Sequence, residues 1–144
     1  MKLDRSVSHL QAFNALILAY QDEAFTLARY LLGDDEQAGN VVQDACRETY
    51  WASCDEQTAV RSDLLRRVVR SCLAQSGRTN GAHAASNKSG LDLGLLPMDQ
   101  RALIVLVDVL GLDYHEAAEV FSKSTPFVRQ KLAQGRARLA SLPA

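Results

Sequence analysis

Apolar residues return at steps of three and four along nearly the whole of this 144-residue chain, and no stretch sustains the alternation of a half-buried strand. That spacing predicts an all-α fold. Over 9–32 the stripe runs Leu10, Phe13, Leu16, Ile17, Tyr20, Ala24, Leu27, Ala28, Leu31, and Gly33 closes it as a C-cap. Asp34 or Asp35 then caps a second helix, whose inner face is Ala38, Val41, Val42, Ala45, Thr49 and Trp51. For Trp51, burial at the base of the bundle outweighs base stacking. A third helix covers roughly 58–76, with Val60, Leu64, Leu65, Val68, Val69, Cys72 and Leu73 turned inward.

Residues 77–92 are small, polar and aperiodic, the composition of a flexible linker. The expected organisation is a helical bundle over 1–76, a linker over 77–93 and a second helical unit over 94–144. In that second unit Pro97 opens a helix of roughly 98–110 that stops at Gly111. Asp113 precedes Glu116 by three residues, a carboxylate form of the capping box, and a short helix 114–121 follows with Ala117, Ala118 and Phe121 inside. Ser122, Lys123 and Ser124 make a tight connection, and Thr125 caps the last helix with Pro126 at its first position. Val128, Leu132, Gly135 and Leu139 form that helix's buried stripe. A short helix, a three-residue turn and a basic helix spell a helix-turn-helix.

A formal net charge of −1 argues at first against a nucleic-acid partner. Resolved by segment, the charge is far from even. Residues 1–56 carry −6, residues 57–78 carry +4 through Arg61, Arg66, Arg67, Arg70 and Arg78, and residues 92–119 carry −5. From Lys123 onward there are five bases and no acid. Two basic segments on an acidic body suit two phosphate-facing elements, although charged helical surfaces also arise without any such purpose. Other classes find little support. The apolar run 102–107 is far below the ~20 residues of a membrane span, so no membrane insertion is expected. No leader is visible at the N-terminus. Three cysteines without a C-x-x-C suit a reducing cytoplasm and neither a disulfide framework nor a zinc ribbon. Cys46 and Cys72 fall on apolar faces as core thiols; Cys54 is the exposed candidate for redox sensing. His9, His83 and His115 are scattered, and no nucleophile has a motif partner, so no enzyme, metal or cofactor is expected.

With Val128, Leu132 and Leu139 inward, Arg129, Gln130, Ala133, Gln134 and Arg136 occupy outward or flanking positions of the last helix. Arginine pairs bidentately with guanine, and glutamine with adenine, in the major groove. Thr125, Lys131 and Arg138 are placed for phosphates, which fix register without reading sequence. The plain alternative is an amphipathic helix with a solvated basic face.

The residues also resemble a known family, the extracytoplasmic-function (ECF) sigma factors of bacteria. The C-terminal resemblance runs through Leu96-Pro97-Met98-Asp99-Gln100-Arg101, Asp108, Gly111 to Val120, Val128 to Leu132 and Arg136 to Leu139. The N-terminal one runs through Phe13, Leu16, Tyr20, Leu27 to Arg29, Leu31 to Asp34, and Ala38 with Val41 to Asp44. The resemblance implies that Val42, Gln43 and Asp44 bind core RNA polymerase, and that Arg66, Arg67 and Arg70 meet the −10 element and help to open it. It implies that the last helix enters the major groove at the −35 element through Arg129, Gln130, Lys131 and Gln134, beside which the helix pattern puts Thr125, Arg136 and Arg138. Promoter DNA, core polymerase and an anti-sigma factor are the implied partners, and no catalysis is implied. The sequence departs from the family at Gly39-Asn40, where Glu-Asp is usual, and at Leu64, where the third helix usually carries Trp. It departs again at Gln75 and 76–80, which replace an Asp and a basic run, at Ser122 in the turn, and at Pro126-Phe127. Residues 77–95 span at most roughly 60–70 Å when extended, against roughly 50–55 Å between promoter elements one and a half turns apart. A short linker and an altered third helix leave a second expectation open: a sigma-like interaction module that binds an anti-sigma factor without melting promoters.

Overall fold

A computed structural model describes residues 2–52, 60–76 and 96–141. Among them are six helices: α1 (Lys2–Leu32), α2 (Asp35–Ala52), α3 (Val60–Ser76), α4 (Met98–Ile104), α5 (Tyr114–Phe121) and α6 (Thr125–Ser141). A π-helical turn, Val105–Val109, extends α4. The all-α expectation holds. The expected linker, with His83, and Cys54 lie outside the described residues.

Helix α1 starts at Lys2, earlier than its apolar stripe. It ends where Gly33 adopts φ 74° and donates its N–H to the Arg29 carbonyl at 2.8 Å. Asp34, and not Asp35, caps α2, its Oδ1 accepting from the Glu36 N–H at 3.3 Å. The inner face of α2 is Ala38, Val41, Val42, Ala45 and Thr49. Trp51 does not belong to it. The stripe 38–41–45–49 continues past the other side of the helix, and the indole is 73% exposed. Burial at the base of the bundle is therefore corrected to exposure.

Helices α1, α2 and α3 pack on one another around Leu27, Leu31, Leu64, Leu65 and Val68. Helix α4 lies at the centre, touching α6 on one side and α1 and α3 on the other. Its residues Ala102 to Ile104, with Val105 and Leu106, belong to the same continuous core as the bundle. Arg101 rivets the contact: its Nη1 donates to the Leu31 carbonyl at 3.0 Å and its Nη2 to the Leu96 carbonyl at 2.9 Å. Leu31 sits in the last turn of α1, where carbonyls lack helical partners and a cation meets the negative end of the dipole. Burial nevertheless lowers the affinity of Arg101 for its proton.

Cys72 is fully enclosed on α3, and desolvation pushes its thiol up from 9.0 to about 12. Between those values the unfolded chain ionises the thiol and the folded chain does not. Stability is thus unaffected below pH 9 and falls above it by about 1.4 kcal/mol per pH unit through this group. The stability difference between wild type and Cys72→Ala, read from urea midpoints, should shrink by about 1.4 kcal/mol from pH 8 to pH 10. A difference that stays constant over that interval contradicts the assignment.

Candidate nucleic-acid interface

The capping box forms in both directions: Asp113 Oδ1 accepts from the Glu116 N–H at 2.8 Å, and Glu116 Oε1 accepts from the Asp113 N–H at 3.3 Å. Ser122 ends α5 with φ 55°, a left-handed conformation costly for serine and natural for the glycine more usual there. The cap of α6 is one residue earlier than the sequence suggests. Ser124 Oγ accepts from the Phe127 N–H at 3.3 Å, and Thr125 begins the helix. Val128, Leu132 and Gly135 are buried against α4 and α5, with Leu139 half-buried after them. Short helix, turn and second helix therefore stand as the helix-turn-helix pattern requires.

The seven residues expected at −35 do not share one environment. Gln130 lies opposite the buried stripe and is exposed, and Arg138 is exposed on a flank. Arg129 is exposed with its guanidinium 6.0 Å from the Tyr114 ring centroid. Thr125 is half-buried. The other three are tied back to α4 and its extension. Lys131 pairs with Asp99 at 3.3 Å, and Gln134 Oε1 accepts from Gln100 Nε2 at 3.2 Å. Arg136 grips Asp108 with two bonds, Nη2 to Oδ1 at 2.6 Å and Nε to Oδ2 at 3.2 Å. Those bonds, joined by one to Tyr114, hold the Arg136 guanidinium charged well above its ordinary range. Asp108 reaches Arg136 from the π-helical turn, whose wider ring is closed by the Leu110 N–H on the Val105 carbonyl at 2.8 Å.

Helix α3 docks on α5. Arg61 meets Glu23 of α1 at 2.8 Å and Glu116 of α5 at 3.4 Å. Arg66 pairs with Asp63 at 2.9 Å and donates to the Glu119 carbonyl at 3.2 Å, while Arg67 meets Glu48 of α2 at 3.3 Å. Arg70 is exposed. The acidic and basic blocks of the sequence thus pair with each other across the fold. Such partly exposed pairs contribute ~0–1 kcal/mol each, so they orient more than they stabilise. A groove of about 310 Å³ runs along this junction, floored by Val69, Leu73 and Phe127 and edged by Arg66, Arg70 and Lys123.

On α2, Gln43 and Asp44 are exposed, whereas the Val42 side chain is turned into the core. His115 is exposed beside Glu119, and Cys46 is half-buried with its thiol pushed up by desolvation. Among the described residues no group of His, Cys, Asp and Glu could hold a metal ion, and no helix is long and apolar enough to cross a membrane. Sequence reasoning missed the bridging role of Arg101 and the exposure of Trp51. The latter was signalled by its place two residues past Thr49, off the stripe.

Residues 93–139 match the family model for sigma-70, region 4. The chain is 28% identical over 151 aligned positions to the ECF RNA polymerase sigma factor SigM of two Mycobacterium tuberculosis strains, covering 91% of this chain and 76% of SigM. Two solved structures share the fold. CnrH, in complex with the cytosolic domain of CnrY, matches with a TM-score of 0.78 at 23% identity, over 92% of this chain and 87% of CnrH. The sigma factor RpoE of Bartonella quintana, in complex with the anti-sigma factor NepR, matches with a TM-score of 0.71 at 20% identity, over 88% and 93%.

Proposed function

We propose that the chain is an extracytoplasmic-function sigma factor that binds core RNA polymerase and directs it to a subset of promoters, a reading supported by the region 4 match and the similarity to SigM. Residues 1–76 would serve the polymerase and the −10 element, residues 94–144 the −35 element, and 77–93 would connect them. The observation that carries this reading is α6: a complete helix-turn-helix whose outer face offers Gln130 between Arg129 and Arg138. Gln130 and Arg129 are the base readers, and Arg138 and Thr125 the phosphate contacts. Lys131, Gln134 and Arg136 join them once DNA phosphates or base edges replace Asp99, Gln100 and Asp108. On α2 the polymerase contact falls to Gln43 and Asp44, since Val42 is in the core. On α3, Arg66, Arg67 and Arg70 are the −10 contacts. We assign the chain no reaction, and its place of work is the cytoplasm, with the polymerase.

An anti-sigma factor is the further partner. The docking of α3 on α5, which holds Arg61 on the Glu116 carboxylate and Arg66 on the Glu119 backbone carbonyl, favours a resting form that such a protein can hold. A module that only binds such a partner is the second reading, and run-off transcription separates the two. The proposed function requires promoter-specific transcripts with core polymerase; core binding without initiation on any promoter of a library overturns it. Within that assay, Gln130→Ala and Arg129→Ala should each weaken −35 binding by about 1–3 kcal/mol and relax specificity at one base position. Arg138→Ala should weaken binding uniformly across sequences and reduce the salt slope by about one.

A further inference from the structure

We propose that Phe127 is a positioning residue for DNA binding, its ring holding the ammonium groups of Lys123 and Lys131 for phosphates along one edge of α6. The proposal rests on the reading of the chain as a promoter-directed factor and deepens it. It adds Lys123, in the turn of the helix-turn-helix, to the phosphate contacts. The Nζ atoms of Lys123 and Lys131 each lie 5.7 Å from the centroid of the Phe127 ring. At that distance the ring quadrupole attracts a cation. The ring is itself held: it is half-buried, packs against the core and meets the Phe121 ring of α5 at 6.4 Å. One aromatic fixed by a neighbouring helix thus restrains two side chains whose flexible four-carbon stems would otherwise roam.

This kind of holder leaves the charge intact. Asp99, 3.3 Å from Lys131, competes with a phosphate for the same ammonium. An aromatic ring carries no net charge, and the ammonium keeps N–H donors for a phosphate. Lys123 is exposed and forms no ion pair among the described residues. Placement favours DNA as the ligand. Phe127, Lys131 and Arg138 follow at steps of four and seven, so they share one edge of α6, with Lys123 at its N-terminal end. Arg138 is already the phosphate contact of that edge. On the other flank Arg129 stands 6.0 Å from the Tyr114 ring, a second cation held by an aromatic. Position 127 is also one where the sequence departs from the family it resembles, so the holder belongs to this chain and not to the family pattern. A ring that only fills the groove beside α3 could be replaced by leucine without loss of DNA binding, and the test turns on that difference.

The full chain, without polymerase, is titrated into a labelled duplex of about 30 base pairs and mixed sequence, at salt concentrations between about 50 and 200 mM. Phe127→Leu should bind about fivefold more weakly at the lowest salt, while Phe127→Trp should stay within about twofold of wild type. The slope of log K against log salt should flatten by about one to two in Phe127→Leu, since each phosphate contact contributes roughly 0.9. Lys123→Met should weaken binding in the wild-type background and change almost nothing in Phe127→Leu. Circular dichroism and urea midpoints check that the variants fold and report any packing loss separately. Wild-type affinity and salt slope in Phe127→Leu overturn the proposal. So does an equal loss in Phe127→Trp, or a Lys123→Met effect of the same size in both backgrounds. Absence of duplex binding by the wild-type chain at about 50 mM salt overturns it as well. Run-off transcription with core polymerase tests the underlying reading by itself. Transcripts from wild type beside a silent Phe127→Leu sink only the positioning role, and ring-dependent DNA binding without transcripts sinks only the reading.

Discussion

Gly135→Leu is expected to destabilise the protein by about 3 kcal/mol and to abolish −35 binding, while Gly135→Ala should be close to neutral. A Cβ at Gly135 would stand 2.8 Å from Ile104 Cδ1 and 3.3 Å from Gln100 Cβ. The first neighbour is the tip of a flexible side chain, which can swing aside for a methyl group. The gain in helix propensity from Gly to Ala, roughly 1 kcal/mol, offsets that strain. Leucine has no such escape, because α4 lies directly against α6 and its core cannot move apart without opening a void elsewhere. Urea midpoints for the three proteins check the order. Ile104→Ala should restore part of the loss in Gly135→Leu, and a variant pair that behaves additively contradicts the close approach.

Leu103→Ala should cost about 2–5 kcal/mol, the usual range for a fully buried leucine. The more telling expectation is where the loss is felt. Leu103 lies on α4, in a core continuous with that of α1 to α3. Unfolding followed through Trp51 on α2 should therefore shift by the same free energy as unfolding followed by far-ultraviolet circular dichroism. A Trp51 transition that stays in place while the dichroism signal becomes biphasic means that the two units unfold independently.

Local features were legible in the sequence because they are written by neighbours in the chain. The stripe of α6, the capping box of Asp113 and Glu116, and the stop at Gly33 each depend on spacing within a turn or two. The cap of α6 shifted by one residue because Ser124 and Thr125 carry equivalent hydroxyls. The π-helical turn has no signature: 105–109 reads as ordinary apolar helix, and the extra residue is set by the need to seat Val105 and Leu106 inward while Asp108 meets Arg136. Pairings across the fold, such as Arg61 with Glu116 or Arg101 with the Leu31 carbonyl, were beyond reach of periodicity. The candidate site divides the same way. That Gln130 points outward follows from the stripe, but that Lys131 and Arg136 are held by α4 and its extension does not.

The docking of α3 on α5 has a thermodynamic consequence for any DNA long enough to engage both basic helices. A DNA that requires α3 and α5 apart binds only the fraction of molecules in which they have parted, and its apparent dissociation constant is the intrinsic one divided by that fraction. Each 1.4 kcal/mol by which the docked form is preferred dilutes the competent population tenfold. A surface that holds the helices apart raises that population and so acts as a positive effector of DNA binding, with no contact to DNA of its own; by linkage, DNA must tighten that surface's grip in return. The junction is a dial on affinity.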